Sequence, residues 1–295
     1  MDIQLSAQQQ AVVGCNEPRI VVKACPGSGK TFSVAARMAK LLRENNLSRH
    51  RGIAAISFTN TACEVIQKEL KETFGCRNIG YPSFIGTIDS FINTYIFLPY
   101  AHLVMGCDCR PEIVGTAFNK WFDYDPTQTR YIRGKHGERI ITSRDTNYYF
   151  DLISFGLNDQ LLRLAPYQSY HFGKADWDNP NKKDGSPKKI ISELKEMKWK
   201  HFNAGKFNQA DAIYFTFRIL DKYPSITQNL VRRFPILIID EAQDTTELQM
   251  AIIDKLSQYG AESIMLIGDP DQAIFEWNTA CLLYTSPSPR DVEES

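Results

Sequence analysis

The chain has 295 residues, and 34 Lys plus Arg against 34 Asp plus Glu leave no formal net charge. Hydrophobic residues make up 43% and charged residues 23%, ordinary for a soluble globular protein with one large core or two modest ones. No apolar run approaches the ~20 residues of a membrane span, and Met1-Asp-Ile-Gln-Leu-Ser6 lacks the basic flank and apolar stretch of a secretory signal, so a cytoplasmic protein is expected. The first predicted element is a buried strand, Ile20 to Ala24, which runs into Cys25-Pro-Gly-Ser-Gly-Lys-Thr31 and then a helix from Thr31 to Arg43. A glycine turn between strand and helix cradles phosphate. Gly27 and Gly29 let the backbone approach closely, with Pro26 and Ser28 completing the loop. Lys30 is placed to reach the β- and γ-phosphates, and the Thr31 hydroxyl to ligate Mg²⁺.

A second buried strand is expected over Ile53 to Phe58, followed by a helix from Thr61 to Glu72. From about Tyr100 to Pro224 the alternation of strand and helix fades. Asp176-Trp-Asp-Asn-Pro-Asn-Lys-Lys-Asp-Gly-Ser-Pro187 reads as a polar loop, and a helical pattern resumes from Ile190 to Ala204. The α/β pattern returns with Ile236 to Ile239, a strand that ends in paired acids. There Asp240 can hold Mg²⁺ and Glu241 can orient and deprotonate a water attacking a phosphoryl group. A last strand, Ile264 to Ile267, leads into Gly268-Asp-Pro-Asp-Gln-Ala-Ile-Phe-Glu-Trp277. In that segment Gln272 is a neutral amide suited to sensing the γ-phosphate. The Trp277 indole, with Phe275 nearby, offers a platform on which a base could stack. Five histidines without ligand spacing and seven irregularly placed cysteines indicate no metal centre of their own; free thiols are expected.

Near-continuously apolar strands alternating with helices predict a doubly wound α/β domain whose ligands sit at the carboxyl ends of the strands, where both phosphate motifs fall. The motifs resemble those of UvrD/Rep-type superfamily 1 DNA helicases. Leu5-Ser-Ala-Gln-Gln-Gln10 is similar to the Q motif, Ala24–Thr31 to motif I, Ser57-Phe-Thr-Asn-Thr-Ala62 to motif Ia and Gly86-Thr-Ile-Asp-Ser-Phe91 to motif Ib. Asp240-Glu-Ala-Gln-Asp244 is similar to motif II and Gly268–Trp277 to motif III. The sequence departs from the family at Ile88-Asp89, where Phe-His is commoner, and at Glu276, where Arg is commoner.

The resemblance implies a RecA-like P-loop domain over residues 1–100 and 225–280, with a mostly helical inserted subdomain over 101–224. It implies that Gln9 reads the adenine edge, that Phe58, Thr59, Asn60, Phe275 and Trp277 contact DNA, and that ATP and Mg²⁺ are bound. The implied activity is an ATP-dependent DNA helicase or translocase with 3′→5′ polarity. Its implied partners are single-stranded DNA, single-strand/duplex junctions and a nuclease or repair protein. Two other readings of the same residues stand beside it: a nuclease- or defence-associated ATPase without processive unwinding, and an ATP-gated nucleic-acid-binding switch. The final stretch, Cys281-Leu-Leu-Tyr-Thr-Ser-Pro-Ser-Pro-Arg-Asp291, is similar to the translation of a transposase-type sequencing adaptor. Residues 281–295 are therefore expected to be non-native, and the natural sequence to be interrupted near Ala280, ahead of a second motor domain.

Overall fold

A computed structural model describes residues 4–25, 27–44, 47–76, 79–106, 109–114, 132–133, 139–141, 153–163, 195–196 and 198–269. The chain divides into two compact units, one of residues 1–95 with 219–295 and the other of residues 96–218.

In the first unit, helix α1 (Ala7–Gly14) precedes strand β1 (Arg19–Lys23), helix α2 (Lys30–Glu44), strand β2 (Ile53–Ser57) and helix α3 (Asn60–Glu72). Strand β3 (Phe84–Thr87) and the short helix α4 (Ile88–Ile92) follow. The chain re-enters this unit at Ile219 and continues through helix α5 (Pro224–Arg233), strand β4 (Ile236–Ile239), helix α6 (Glu247–Gln258) and strand β5 (Ser263–Gly268). The five strands form one sheet in the order β1-β5-β4-β2-β3, every pair parallel. All five residues of β2 and all four of β4 are buried. Successive side chains point to opposite faces, so both faces are covered, and this is why these strands read as unbroken apolar runs.

The helices start where the sequence offers caps. Ser6 and Gln9 form a reciprocal capping box on α1, as do Thr246 and Gln249 on α6, and the Thr59 hydroxyl accepts the Ala62 N–H at the start of α3. Helix α2 buries Val34, Ala35, Met38 and Ala39, the i, i+1, i+4, i+5 positions of one face. They pack in a core with Ile53, Ile66, Leu70, Ile238 and Met265. Buried Arg37 on the same helix donates to Val12 O at 2.9 Å and Cys15 O at 2.7 Å, satisfying carbonyls at the end of α1. Strand β3, the amino-terminal helix and helices α5 and α6 add to the elements anticipated from the sequence.

In the second unit, three short strand pairs accompany the described helices: Glu112–Ile113 with Lys206–Phe207, Ile132–Arg133 with Arg139–Ile141, and Ile153–Phe155 with Leu161–Arg163. Residues 195–196 and 198–203 are helical, as the periodicity predicts. A fully buried ion pair anchors this unit. Lys198 Nζ donates to both carboxylate oxygens of Asp211 at 2.9 and 2.7 Å, and Asp211 also accepts from Ser154 Oγ at 3.0 Å and from the Asn208 N–H at 3.1 Å. Such a pair is tolerated in an apolar setting because its hydrogen-bonding capacity is met. Around it, Phe202, Phe207 and Phe215 pack at centroid distances of 4.9 to 5.2 Å. Among the described residues no helix is long and apolar enough to cross a membrane.

Candidate nucleotide-binding site

An all-parallel sheet collects the carboxyl ends of its strands at one edge. There, β1 leads into the glycine loop, β2 into Phe58-Thr59-Asn60, β4 into Asp240-Glu241 and β5 into Asp269. The loop is built on positive-φ glycines, Gly27 at 77° and Gly29 at 82°, which a side chain would strain. Gly29 is also closely approached: a Cβ there would stand 3.0 Å from Gln9 Nε2. Gln9 thus lies against the phosphate loop, its Oε1 accepting the Ser6 N–H at 3.1 Å. Ser33 donates to Gly29 O through both its N–H and its hydroxyl, at 2.9 and 3.1 Å, locking the loop onto the first turn of α2.

Two contacts join residues more than two hundred positions apart. Thr31 Oγ1 donates to Asp240 Oδ2 at 3.1 Å, and Lys30 Nζ pairs with Glu241 Oε2 at 3.0 Å. Asp240 is fully buried, and its backbone N–H donates to Ile56 O at 2.8 Å, in line with the sheet. Burial, and then the neighbouring Glu241 charge, push the Asp240 carboxyl up to about 6; the bonds from Thr31 and the Glu241 N–H and the charge of Lys30 oppose the rise. Burial and the Glu241 charge also raise the Asp244 carboxyl. Glu241 adopts left-handed backbone angles, φ 53° and ψ 42°. A non-glycine residue held there is strained, and here the sharp turn aims adjacent carboxylates at the loop.

A hydroxyl and a buried carboxylate within 3.1 Å of each other form the hard-oxygen donor set that Mg²⁺ prefers, so Thr31 and Asp240 fit that ion. Lys30, Thr31, Asp240, Glu241 and Gln9 therefore come together, with Gly27, Ser28 and Gly29 forming the loop between them. Thr59 and Asn60 are exposed at the same sheet edge, Phe58 is half-buried, and the Thr59 hydroxyl is committed to capping α3. Pro26, Gln272, Phe275, Trp277 and the tail from Cys281 lie outside the described residues.

The sequence reading missed Gln243. Its Nε2 donates to Glu241 Oε2 at 2.7 Å, and its Oε1 accepts the Asp269 N–H at 3.0 Å. It is 4% exposed and ties the turn after β4 to the end of β5. The signal was present in the sequence as a lone amide between acids, a group able to donate to one neighbour and accept from another. At the motif Ib departure, Ile88 is buried and Asp89 accepts from Gln249 Nε2 at 3.3 Å, joining α4 to α6.

Comparison with known proteins supplies a lineage for this arrangement. The chain is 24% identical over 281 residues to the ATP-dependent DNA helicase PcrA of Bacillus subtilis, covering 94% of this chain and 34% of that protein. It is 25% identical over 279 residues to DNA helicase II of Escherichia coli, covering 94% and 35%. It is 24% identical over 298 residues to the ATP-dependent DNA helicase UvrD1 of Mycobacterium leprae, covering 98% and 36%. The chain thus spans about a third of the length of the curated relatives it matches. The family model for the UvrD/REP helicase N-terminal domain matches residues 5–286, and the chain belongs to that family.

Proposed function

We propose that the chain is the ATP-binding motor portion of an ATP-dependent DNA helicase or translocase that moves 3′→5′ along single-stranded DNA. The observation that carries this reading is the pairing of the phosphate loop with the strand-end acids, Thr31 with Asp240 and Lys30 with Glu241. ATP is the substrate. Gly27, Ser28 and Gly29 hold its phosphates on backbone N–H groups, and Gln9, seated beside Gly29, reads the adenine edge. Lys30 leaves Glu241 for the β- and γ-phosphate oxygens. Its departure frees the Glu241 carboxylate to take a proton from the attacking water as the γ-phosphoryl group passes to that water and ADP leaves. Gln243 keeps the freed carboxylate in place. Thr31 and Asp240 would hold Mg²⁺, which would supply positive charge against the phosphates. Gln272 reports phosphate loss to Phe275 and Trp277, which grip bases together with Phe58, Thr59 and Asn60. Hydrolysis by the chain alone should be slow. Phosphoryl transfer of this kind gains ~10³–10⁵ from an arginine finger, and among the described residues Lys30 is the cation paired with a site carboxylate.

The reading is tested by two titrations. Mg·ATP binding, followed by calorimetry, should fall at least about ten-fold in Lys30→Ala, which removes the cation from the phosphates. Oligonucleotide binding at low salt should weaken by ~1–3 kcal/mol in Trp277→Ala while ATP affinity holds. Equal ATP affinity in the first variant, or unfolding without selective loss of DNA binding in the second, contradicts the assignment.

A further inference from the structure

The opposite edge of the same sheet carries a second site. Residues 49–52 precede β2, 81–83 precede β3, 232–235 precede β4 and 259–262 precede β5, so all four segments meet at the amino ends of parallel strands. They border an open cleft of about 930 Å³ lined by His50, Arg51, Tyr81, Arg232, Arg233 and Tyr259, among others. At ~3.3 Å rise per residue, a strand of five residues separates this edge from the phosphate loop by roughly 15–20 Å. The cleft shares no residue with the nucleotide site, and its volume lies in the range of small-ligand pockets.

Its chemistry is that of an anion site with flat walls. Arg233 is held by three rings, its guanidinium carbon 5.2 Å from the Tyr81 centroid, 5.0 Å from Tyr95 and 5.1 Å from Phe234. Its Nε is buried with no hydrogen-bond partner among the described residues. That buried Nε is out of a ligand's reach, but a guanidinium held in one plane by rings, on a residue that lines the cleft, can present its terminal nitrogens to an oxyanion. Arg232 beside it is exposed and pairs with no carboxylate among the described residues. Arg51 is paired with Glu262, so Glu262 offsets one of the three arginines and the cleft stays cationic. The Tyr81 ring is 64% exposed, and its hydroxyl meets His50 Nδ1 at 2.8 Å, which steadies the ring as a surface for a base.

We propose that this amino-edge cleft is a second binding site for a phosphate ester carrying a nucleobase, with Arg232 and Arg233 on the phosphate and Tyr81 under the base. The source is either a single-stranded nucleic acid running past the edge or a free nucleotide. The test is photocrosslinking of the full chain to an octanucleotide bearing 5-iodouracil, at low ionic strength, with adducts located by peptide mass spectrometry. An adduct on Tyr81 is expected. It should fall at least five-fold in Arg232→Glu and about two-fold in the milder Arg232→Gln, and stay unchanged in Lys30→Ala and in the control charge reversal Lys68→Glu. Persistence in Lys30→Ala separates this site from the nucleotide-site reading, which stands or falls on ATP binding. Displacement by millimolar AMP would identify a free nucleotide as the source, and displacement by unlabelled oligonucleotide alone would identify the strand; both support the site. Absence of a Tyr81 adduct, equal yield in Arg232→Glu with an unchanged melting temperature, or displacement by deca-glutamate as effective as by an oligonucleotide would overturn it, the last making an acidic peptide the occupant.

Discussion

Asp240 shows what it costs to bury a carboxylate at a strand end. Its carboxyl titrates at about 6 in the folded chain against an ordinary 3.8. Between those values the folded state holds a proton that the unfolded chain has released. The carboxyl therefore favours folding at and below pH 4, and that contribution is lost as pH rises toward 6. In metal-free solution near pH 7 the deficit approaches about 3 kcal/mol, at 1.36 kcal/mol for each pH unit. Asp240→Asn should accordingly raise the melting temperature at pH 7.5 in the presence of a chelator, with the gain disappearing toward pH 4. The same variant should lose any stabilisation by Mg²⁺. A wild-type melting temperature equal to or above that of the variant at pH 7.5 would contradict the burial argument. Gln243 makes its prediction through Glu241, which it holds at 2.7 Å. Gln243→Ala should leave Mg·ATP affinity within about two-fold, because its hydrogen bonds go to Glu241 and Asp269 and not to the loop. On the proposed function, with Glu241 as the general base, it should lower kcat for ATP hydrolysis by about ten-fold or more.

At the scale of elements, the turn after β4 is supported from both sides. Helix α6 begins immediately after it, and the Thr246 hydroxyl accepts the Gln249 N–H at 3.3 Å while Gln249 Oε1 takes the Thr246 N–H at 2.9 Å. Thr246→Ala removes one half of this box and should cost ~1 kcal/mol in chemical denaturation. A larger effect is expected where α3 meets the core: Leu70 is fully buried, and Leu70→Ala should cost ~2–5 kcal/mol from lost burial and the cavity left behind. These two substitutions separate end effects from packing effects in one domain, since neither side chain belongs to the nucleotide site.

For the whole molecule, one buried group in each unit, Asp240 in the first and His201 in the second, should respond to acid in opposite directions. In the second unit, burial and then the neighbouring Lys198 charge hold His201 down to about 4, from an ordinary 6.5. This contribution is fully present above pH 6.5 and is lost as pH falls toward 4, because the unfolded chain then binds a proton that the folded chain resists. The loss amounts to about 3 kcal/mol over that window. Asp240, in the first unit, gains over nearly the same range. Melting followed from pH 7.5 to 4.5 should therefore show a steeper acid loss in Asp240→Asn than in the wild type, and a shallower one in His201→Gln. Parallel pH profiles for all three proteins would contradict both assignments.

Much of this protein was legible in its sequence because its chemistry is local. A glycine loop between an apolar strand and a helix, and two acids closing another apolar strand, are short-range patterns fixed by backbone geometry and by the burial of parallel strands. Strands β1, β2, β4 and β5 were all recognisable for that reason, and so was the α/β class. Strand β3 was not, since Phe84-Ile-Gly-Thr87 is short, half-buried and at the sheet edge, where the demand for apolar side chains is relaxed. What only the tertiary structure decided was which distant groups meet. Strand order β1-β5-β4-β2-β3 sets Thr31 against Asp240 and Lys30 against Glu241, places Gln243 between motif II and the end of β5, and gathers Tyr81, Arg232 and His50 at the far edge. Such contacts depend on the parallel register of strands separated by long stretches of chain, and no spacing within a single segment encodes that register.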